Sequence, residues 1–424
     1  MTTKEFLQIG FWTLVARFLG AGTMFLMTIF FARWLGVSDF GLFSLGLTVL
    51  FILGVVARWG MDQVLLKQVG SHWEFEPCVA KGYVIGAIKL ILFISVIFML
   101  LIATFHKEIA ISLFNKAEFS EVLFWFGLMT VPFSLNYTLA EAYKGAGKPI
   151  LSAYLQNVIT PFVAILIATT LYFSAQYNLI LIIQSFGIGI VVTLLFSILL
   201  WKRIFIQIKN TKIALKDIFN EGWPMLLISS GALVIVWSAM IILGIFGSSK
   251  ELGVYSSASR VVLLTSLILT SVNSITAPRY ANLYKKGDLE GLKNLAQKSS
   301  RVLLFLVLFP STFLFAFPEL VMSWFGEEFI SGATILMILT VGQFINVASG
   351  SVGYILSMTG KERKVRDIML ITAVINIFIS VTLVVDFGMY GVALATAISV
   401  SIWNIWAMIE VRKHLGFWMF SFKN

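Results

Sequence analysis

Charged residues along the chain fall in short clusters, and between the clusters run stretches of about twenty residues that carry few or none. A helix rising about 1.5 Å per residue needs about 20 mainly apolar residues to cross the hydrocarbon core of a bilayer. Twelve such stretches follow one another: 6–31, 40–57, 84–105, 122–140, 150–173, 179–201, 222–247, 254–277, 302–324, 331–358, 368–385 and 388–409. The longest charge-free run, 149–201, is too long for one helix, and the polar sequence Ser174-Ala175-Gln176-Tyr177-Asn178 predicts a break that divides it. The first stretch is too long for a cleavable signal, carries Arg17 near its middle and lacks a small-x-small cleavage site, so it is predicted to remain as a membrane helix. The pattern predicts an all-α integral membrane protein with twelve transmembrane helices.

The pattern also repeats. Gly10-Phe11-Trp12 and Gly222-Trp223-Pro224 open the first and seventh stretches, 212 residues apart, and Gly41-Leu42-Phe43-Ser44 and Gly253-Val254-Tyr255-Ser256 stand at the same spacing. Gly147-Lys148 and Gly360-Lys361 precede the fifth and eleventh, 213 apart. The chain therefore divides into two six-helix lobes, residues 1–205 and 206–424. Six is an even number, so both lobes enter the membrane in the same direction. Such repeats are related by a pseudo-two-fold axis along the membrane normal, with a substrate site at their interface, and they work by alternating access. The linker 202–217 is basic. It is either an interfacial amphipathic helix, with Ile204, Phe205, Ile208 and Ile213 on its apolar face, or a solvated connector. Residues 290–301, with lysines between leucines, predict a similar cytoplasmic helix.

Composition confirms the class and excludes others. The residues AVILMFWYC make up 59% of the chain and charged residues only 12%, with a mean hydropathy of +0.93; a soluble domain is roughly 45–50% apolar and about 25% charged. The net charge of +10 is explained by position. With the N-terminus inside and the spans alternating, 24 of the 31 Lys and Arg fall on the cytoplasmic side and 4 outside. That is a positive-inside signal for a plasma-membrane protein with both termini cytoplasmic, and it leaves no need for nucleic acid. Cys78 is the sole cysteine, and His72, His106 and His414 lie in separate segments, so neither a disulfide nor a metal cluster is expected. No outer loop is long enough to house an outer-face enzyme such as a polysaccharide polymerase or ligase. Gly145-Ala146-Gly147-Lys148 lacks the spacing and the following Ser or Thr of a nucleotide-binding loop. It is expected to be a turn that caps the fourth span, and no cofactor is expected.

The charges left in or beside the spans are the candidate chemistry. Arg17 lies about eleven residues into the first span, where an arginine costs about 2.5–3.5 kcal/mol unless it faces water or a partner. Gly10, Thr13, Arg17, Ala21 and Thr28 form a small, polar stripe that either lines a lumen or lets the arginine bond neighbouring carbonyls. Arg260 lies six residues into the eighth span. Lys89, in the third, either joins the site or snorkels to the interface. Arg58 and Asp62 share a helix face at i and i+4, as a surface ion pair or as the end of a polar stripe that begins at Ser44. Glu141 ends the fourth span near Lys144, as an interfacial charge or a coupling group. Arginines spread over two helices suit an anionic cargo, because guanidinium forks bind phosphate oxygens bidentately. A pyrophosphate-binding set of Arg17, Arg58, Arg260 and Lys89 is the expectation, with Asp62 and Glu141 as coupling or ion-pair groups and no catalytic residue.

The run Ala32-Arg33-Trp34-Leu35-Gly36-Val37-Ser38-Asp39-Phe40-Gly41-Leu42-Phe43-Ser44 resembles the loop between the first two helices of bacterial polysaccharide flippases of the multidrug/oligosaccharidyl-lipid/polysaccharide exporter superfamily. So do Gly253 to Arg260, Gly145 to Lys148, and Asn376 with Phe387 to Thr396, and the likeness covers essentially the whole chain. It implies transfer of an undecaprenyl-pyrophosphate-linked oligosaccharide, such as an O-antigen repeat unit of lipopolysaccharide, from the inner to the outer leaflet. It also implies membrane lipid, a polysaccharide polymerase and a chain-length regulator as partners of a monomeric transporter. Related lipid II flippases carry functional arginines at places similar to Arg17, Arg58 and Arg260. The rival within the superfamily, a multidrug exporter, would need a buried titrating carboxylate in one lobe.

Overall fold

The structure is a computed structural model that describes residues 3–175, 177–205, 208–209 and 211–420, with side chains described outside 3–9 and 227–232. Fifteen α-helices and no strand occur among the described residues. They are α1 (Thr3–Arg58), α2 (Met61–His72), α3 (Pro77–Glu108), α4 (Phe119–Gly145), α5 (Pro149–Asn157), α6 (Ile159–Phe173), α7 (Leu179–Phe205), α8 (Leu215–Phe246), α9 (Ser249–Leu264), α10 (Ser266–Lys285), α11 (Leu289–Ala316), α12 (Pro318–Ser323), α13 (Ala333–Ala348), α14 (Val352–Met358) and α15 (Glu362–Leu415).

Each expected span lies on this helical path, and the breaks between spans take several forms. Nine stretches among the described residues are long and apolar enough to cross a membrane, and Leu233–Phe246 is a shorter apolar helix. Two of the nine carry two expected spans each. The segment 32–44, expected as a loop, is helical on both sides of one non-helical residue, Gly36 (φ 76, ψ 174), and Gly388 (φ 53, ψ −133) breaks α15 in the same way. Glycine alone reaches such angles without a Cβ clash, so one residue does the work of a loop. The break expected at 174–178 is present, α6 ending at Phe173 and α7 starting at Leu179.

The linker corrects the first of its two expectations. Its described residues between α7 and α8, 208–209 and 211–214, are not helical. They run against the start of α3 instead: Thr211 donates its backbone N–H to the Cys78 carbonyl at 3.4 Å, and Lys81 Nζ donates to the Ile208 carbonyl at 2.7 Å. A Cβ on Gly82 would lie 2.2 Å from the Thr211 carbonyl oxygen, so only glycine lets the two backbones meet. Phe205, Ile208 and Ile213 pack into a protein core with Ala80, Val84 and Tyr143 rather than facing lipid.

The repeat is visible in the helices themselves. α3 and α11 start 212 residues apart, while α5 and α15 start 213 apart. Gly147 (φ 77) and Gly360 (φ 80) follow α4 and α14 in the left-handed region. Each closes the same cap: Lys148 N–H donates to the Tyr143 carbonyl at 2.9 Å, and Lys361 N–H to the Leu356 carbonyl at 2.8 Å. This is the Schellman arrangement, and it forms the turn expected at Gly145 to Lys148.

The chain divides into two compact units, 1–230 and 231–424, with the boundary inside α8. The middle of the first is filled by phenylalanine: Phe43 stands 5.6 Å from Phe126 and 6.1 Å from Phe186 between ring centroids, and Phe51 stands 5.5 Å from Phe133. The second is tied by polar contacts between helices, Ser238 Oγ to Asn376 Oδ1 at 2.8 Å and Asn404 Nδ2 to Asn346 Oδ1 at 3.0 Å. It holds a partly open cavity of about 260 Å³.

Candidate functional site

The end of the second span builds a compact charged site. α1 stops at Arg58 because Trp59 (φ 50) and Gly60 (φ 74) both take left-handed angles, and α2 resumes at Met61 with Asp62 in its first turn. This elbow keeps the i, i+4 relation of Arg58 and Asp62 across a helix break. Arg58 Nε donates to Asp62 Oδ2 at 2.9 Å, and the Arg58 side chain is only 6% exposed, so the expectation of a surface pair gives way to a buried one. The guanidinium carbon lies 4.7 Å from the centre of the Tyr137 ring and 5.9 Å from that of Phe133, both on α4. Aromatic faces attract a cation at this range, more strongly where water is absent. One turn before Arg58, a Cβ on Gly54 would sit 2.7 Å from the Phe133 ring and 3.2 Å from Arg58 Nη1, so the glycine leaves the room that the guanidinium occupies.

Two atoms of this pair are left open: Arg58 Nη1 and Asp62 Oδ1 are buried without a hydrogen-bond partner. A buried guanidinium cannot shed its proton and is costly while its donors stay unfilled. An incoming oxygen acceptor would fill Nη1 with a charge-assisted bond.

The elbow is held from outside by the first turns of α8, within the same unit. Trp59 Nε1 donates to the Phe219 carbonyl at 3.2 Å, and the Trp59 ring lies 4.6 Å from Phe219 and 5.3 Å from Trp223. Backbones touch here: a Cβ on Gly60 would lie 2.3 Å from the Gly222 carbonyl oxygen, and one on Gly222 would lie 2.3 Å from that of Trp59. Gln68 Nε2, farther along α2, and the Tyr83 hydroxyl on α3 donate to the two oxygens of Glu221 at 2.8 and 3.1 Å. The sequence pattern marked Gly222 only as a repeat anchor. Its counterpart Gly10 has no atom within 4 Å of an added Cβ, so the two glycines share a position and not a function.

The other expected residues are placed as follows. Glu141 is buried on α4, where it accepts from Lys144 Nζ at 3.1 Å and from Gln156 Nε2 at 2.9 Å, tying α4 to α5. Arg17 lies on an exposed position of α1, while Thr28, farther along the same stripe, is buried. Lys89 is exposed on α3, and Phe93, Ile97 and Leu100 continue its face as exposed apolar residues. That face fits the snorkelling alternative. Arg260 is half-buried on α9, one turn after the buried Ser256 and Ser257. Of the six, the structure brings Arg58 and Asp62 together in one contact. Sequence reasoning missed Tyr137 and Phe133, which are ordinary span residues until α4 packs beside Arg58. It also missed Trp59 and Gly60, although an Arg-Trp-Gly run closing an apolar stretch is a helix-stop signal.

The polysaccharide biosynthesis protein family model matches residues 6–283, and the MatE family model matches residues 222–382. A probable low-salt glycan biosynthesis flippase, Agl15 of Haloferax volcanii, is 25% identical over 391 residues, covering 92% of this chain and 79% of the relative. Among solved structures, the inward-facing conformation of a multidrug resistance MATE family transporter of the MOP superfamily superposes with a TM-score of 0.78 at 15% identity, over 95% of this chain and 94% of that one. The inward closed conformation of lipid II flippase MurJ gives 0.77 at 16% identity, over 96% and 87%. At these identities the structural matches show a shared fold, which is the two-lobe, all-α membrane fold expected from the pattern.

Proposed function

This chain belongs to the polysaccharide biosynthesis protein family, and on that premise we propose that it carries undecaprenyl-pyrophosphate-linked oligosaccharide repeat units from the inner to the outer leaflet of the bacterial plasma membrane by alternating access. It is a multi-pass membrane transporter and not an enzyme, like its relatives and structural neighbours. The cargo is a repeat unit for O-antigen, capsule or exopolysaccharide, and a polymerase consumes it outside. In this reading both termini are cytoplasmic, which the split of basic residues supports.

One observation carries this reading: the buried Arg58, held by Asp62 and two aromatic rings, keeps an unfilled donor at Nη1. A diphosphate oxygen is the acceptor such a group favours. Arg17, on the helix that opens the first half of the repeat, and Arg260, on the second span of the other half, are the further cationic contacts. A multidrug exporter would instead place a titrating carboxylate at the site, and here Asp62 and Glu141 are both engaged by basic side chains.

The test is translocation in proteoliposomes. The reconstituted chain is expected to move a fluorescent polyprenyl-pyrophosphate oligosaccharide between leaflets without nucleotide, as read by loss of protection from a membrane-impermeant quencher. Protection equal to that of empty liposomes, together with export of a cationic dye, would assign the chain to the drug exporters.

A further inference from the structure

The two units repeat one pattern in register, so interior positions of one have counterparts in the other. In the first unit Phe43, Phe126 and Phe186 pack ring to ring, as do Phe51 and Phe133. The 212-residue spacing carries Phe43 and Phe51 onto Tyr255 and Leu263, and the 213-residue spacing carries Phe126, Phe133 and Phe186 onto Leu339, Asn346 and Ser399. Five phenylalanines are thus replaced by one tyrosine, two leucines, an asparagine and a serine. Four of these replacements, Tyr255, Leu263, Leu339 and Asn346, line the cavity of about 260 Å³ in the second unit.

The void lies among α8, α9, α13 and α15. Gly342 also lines it, and a Cβ there would lie 2.7 Å from Ala397 Cα, so α13 and α15 are in backbone contact at one wall of it. Among the described residues no charged side chain lines it, which disfavours both an inorganic cation and the pyrophosphate itself. Its wall is mainly aliphatic, with the Trp403 ring as an aromatic face. Yet one polar atom is unsatisfied: Gln343 Nε2 is buried with no hydrogen-bond partner. The neighbouring polar groups are already engaged, the Tyr255 hydroxyl with Thr396 Oγ1 at 3.1 Å and Asn346 Oδ1 with Asn404 Nδ2. The complement is a neutral ligand with an apolar face and an oxygen acceptor at its edge. A hydrocarbon chain would leave Gln343 unfilled. A sugar ring supplies both features, its C–H face against an indole and its hydroxyl or acetamido oxygen for the amide.

We propose that the interior cavity of the second unit is a binding site for an uncharged sugar ring, with Gln343 Nε2 as the donor to it and Trp403 as its apolar face. The assignment rests on the flippase reading, because it gives this site to the sugar end of the cargo whose pyrophosphate the arginines receive.

The experiment measures binding of two probes to the purified full chain in a detergent without a sugar headgroup: polyprenyl pyrophosphate, and the same lipid carrying one hexose. For the unaltered chain the hexose is expected to tighten binding about tenfold, the scale of one buried hydrogen bond with its packing. Leu339→Phe, which restores the ring found at Phe126, and Gln343→Leu, which removes the donor at nearly constant shape, are each expected to abolish that gain while the bare lipid's affinity stays within about twofold. If Leu339→Phe does not fold, Gln343→Leu alone decides. A hexose that adds nothing, or a gain that survives both substitutions, overturns the sugar site and leaves the flippase reading standing. Failure of both lipids to bind overturns the flippase reading and the sugar site with it.

Discussion

Arg58 pairs with Asp62 under two aromatic rings, and its stability role is separable from the transport role proposed for it. Removing one partner of a buried pair strands the other and costs about 3–5 kcal/mol, whereas replacing both by apolar residues of similar volume is often neutral. Arg58→Ala is therefore expected to lower the unfolding temperature in detergent and abolish export. The double variant Arg58→Met with Asp62→Leu is expected to recover the unfolding temperature without recovering export; normal export by it would reduce Arg58 to a structural residue. Arg17 offers the converse case. It is exposed on α1, so Arg17→Ala is expected to change stability by no more than about 0.5 kcal/mol while export of lipid-linked sugar falls at least tenfold. Unchanged export in a complementation assay would remove Arg17 from the site.

At the scale of the helix, single glycines set the breaks, and their environments predict how each responds. Gly147 and Gly360 share a left-handed conformation and open surroundings, so alanine at either is expected to cost about 1–2 kcal/mol, nearly the same at both. Clearly unequal losses in chemical unfolding would argue against equivalent caps. Gly60 combines the same kind of angle (φ 74) with backbone 2.3 Å from an added Cβ, so Gly60→Ala is expected to cost about 3–4 kcal/mol in sum. Helices were legible in the sequence because twenty apolar residues in a row have few other uses. The form of their joints was less so. A one-residue break at Gly36 and the longer break between Phe173 and Leu179 both follow apolar runs. Of the two readings of the linker, the helical one does not hold at 208–209 and 211–214 for a related reason: Ile208 and Ile213 are drawn into a core with α3 and α4 that a local amphipathic pattern does not reveal.

At the scale of the whole molecule the repeat explains most of what the sequence predicted and also what it concealed. Spacings of 212 and 213 residues recur in glycine anchors, helix starts and helix caps. Arg58 was visible as a charge at the end of an apolar run. Its partners Tyr137 and Phe133 were not, nor was Gln343, because each is unremarkable until a neighbouring helix is placed. The asymmetry between the units is as informative as the repeat. Arg58 and Arg260 fall on Thr270 and Thr48 in the other half, and the phenylalanine core of one unit is a cavity in the other. The decisive measurement is the leaflet distribution of lipid-linked repeat units in cells that lack this chain, read with a membrane-impermeant glycan-modifying reagent on intact spheroplasts and on inverted vesicles. Units are expected to be confined to the cytoplasmic face, released by the unaltered chain and not by Arg58→Ala. Units that reach the outer leaflet without the chain would contradict the flippase reading.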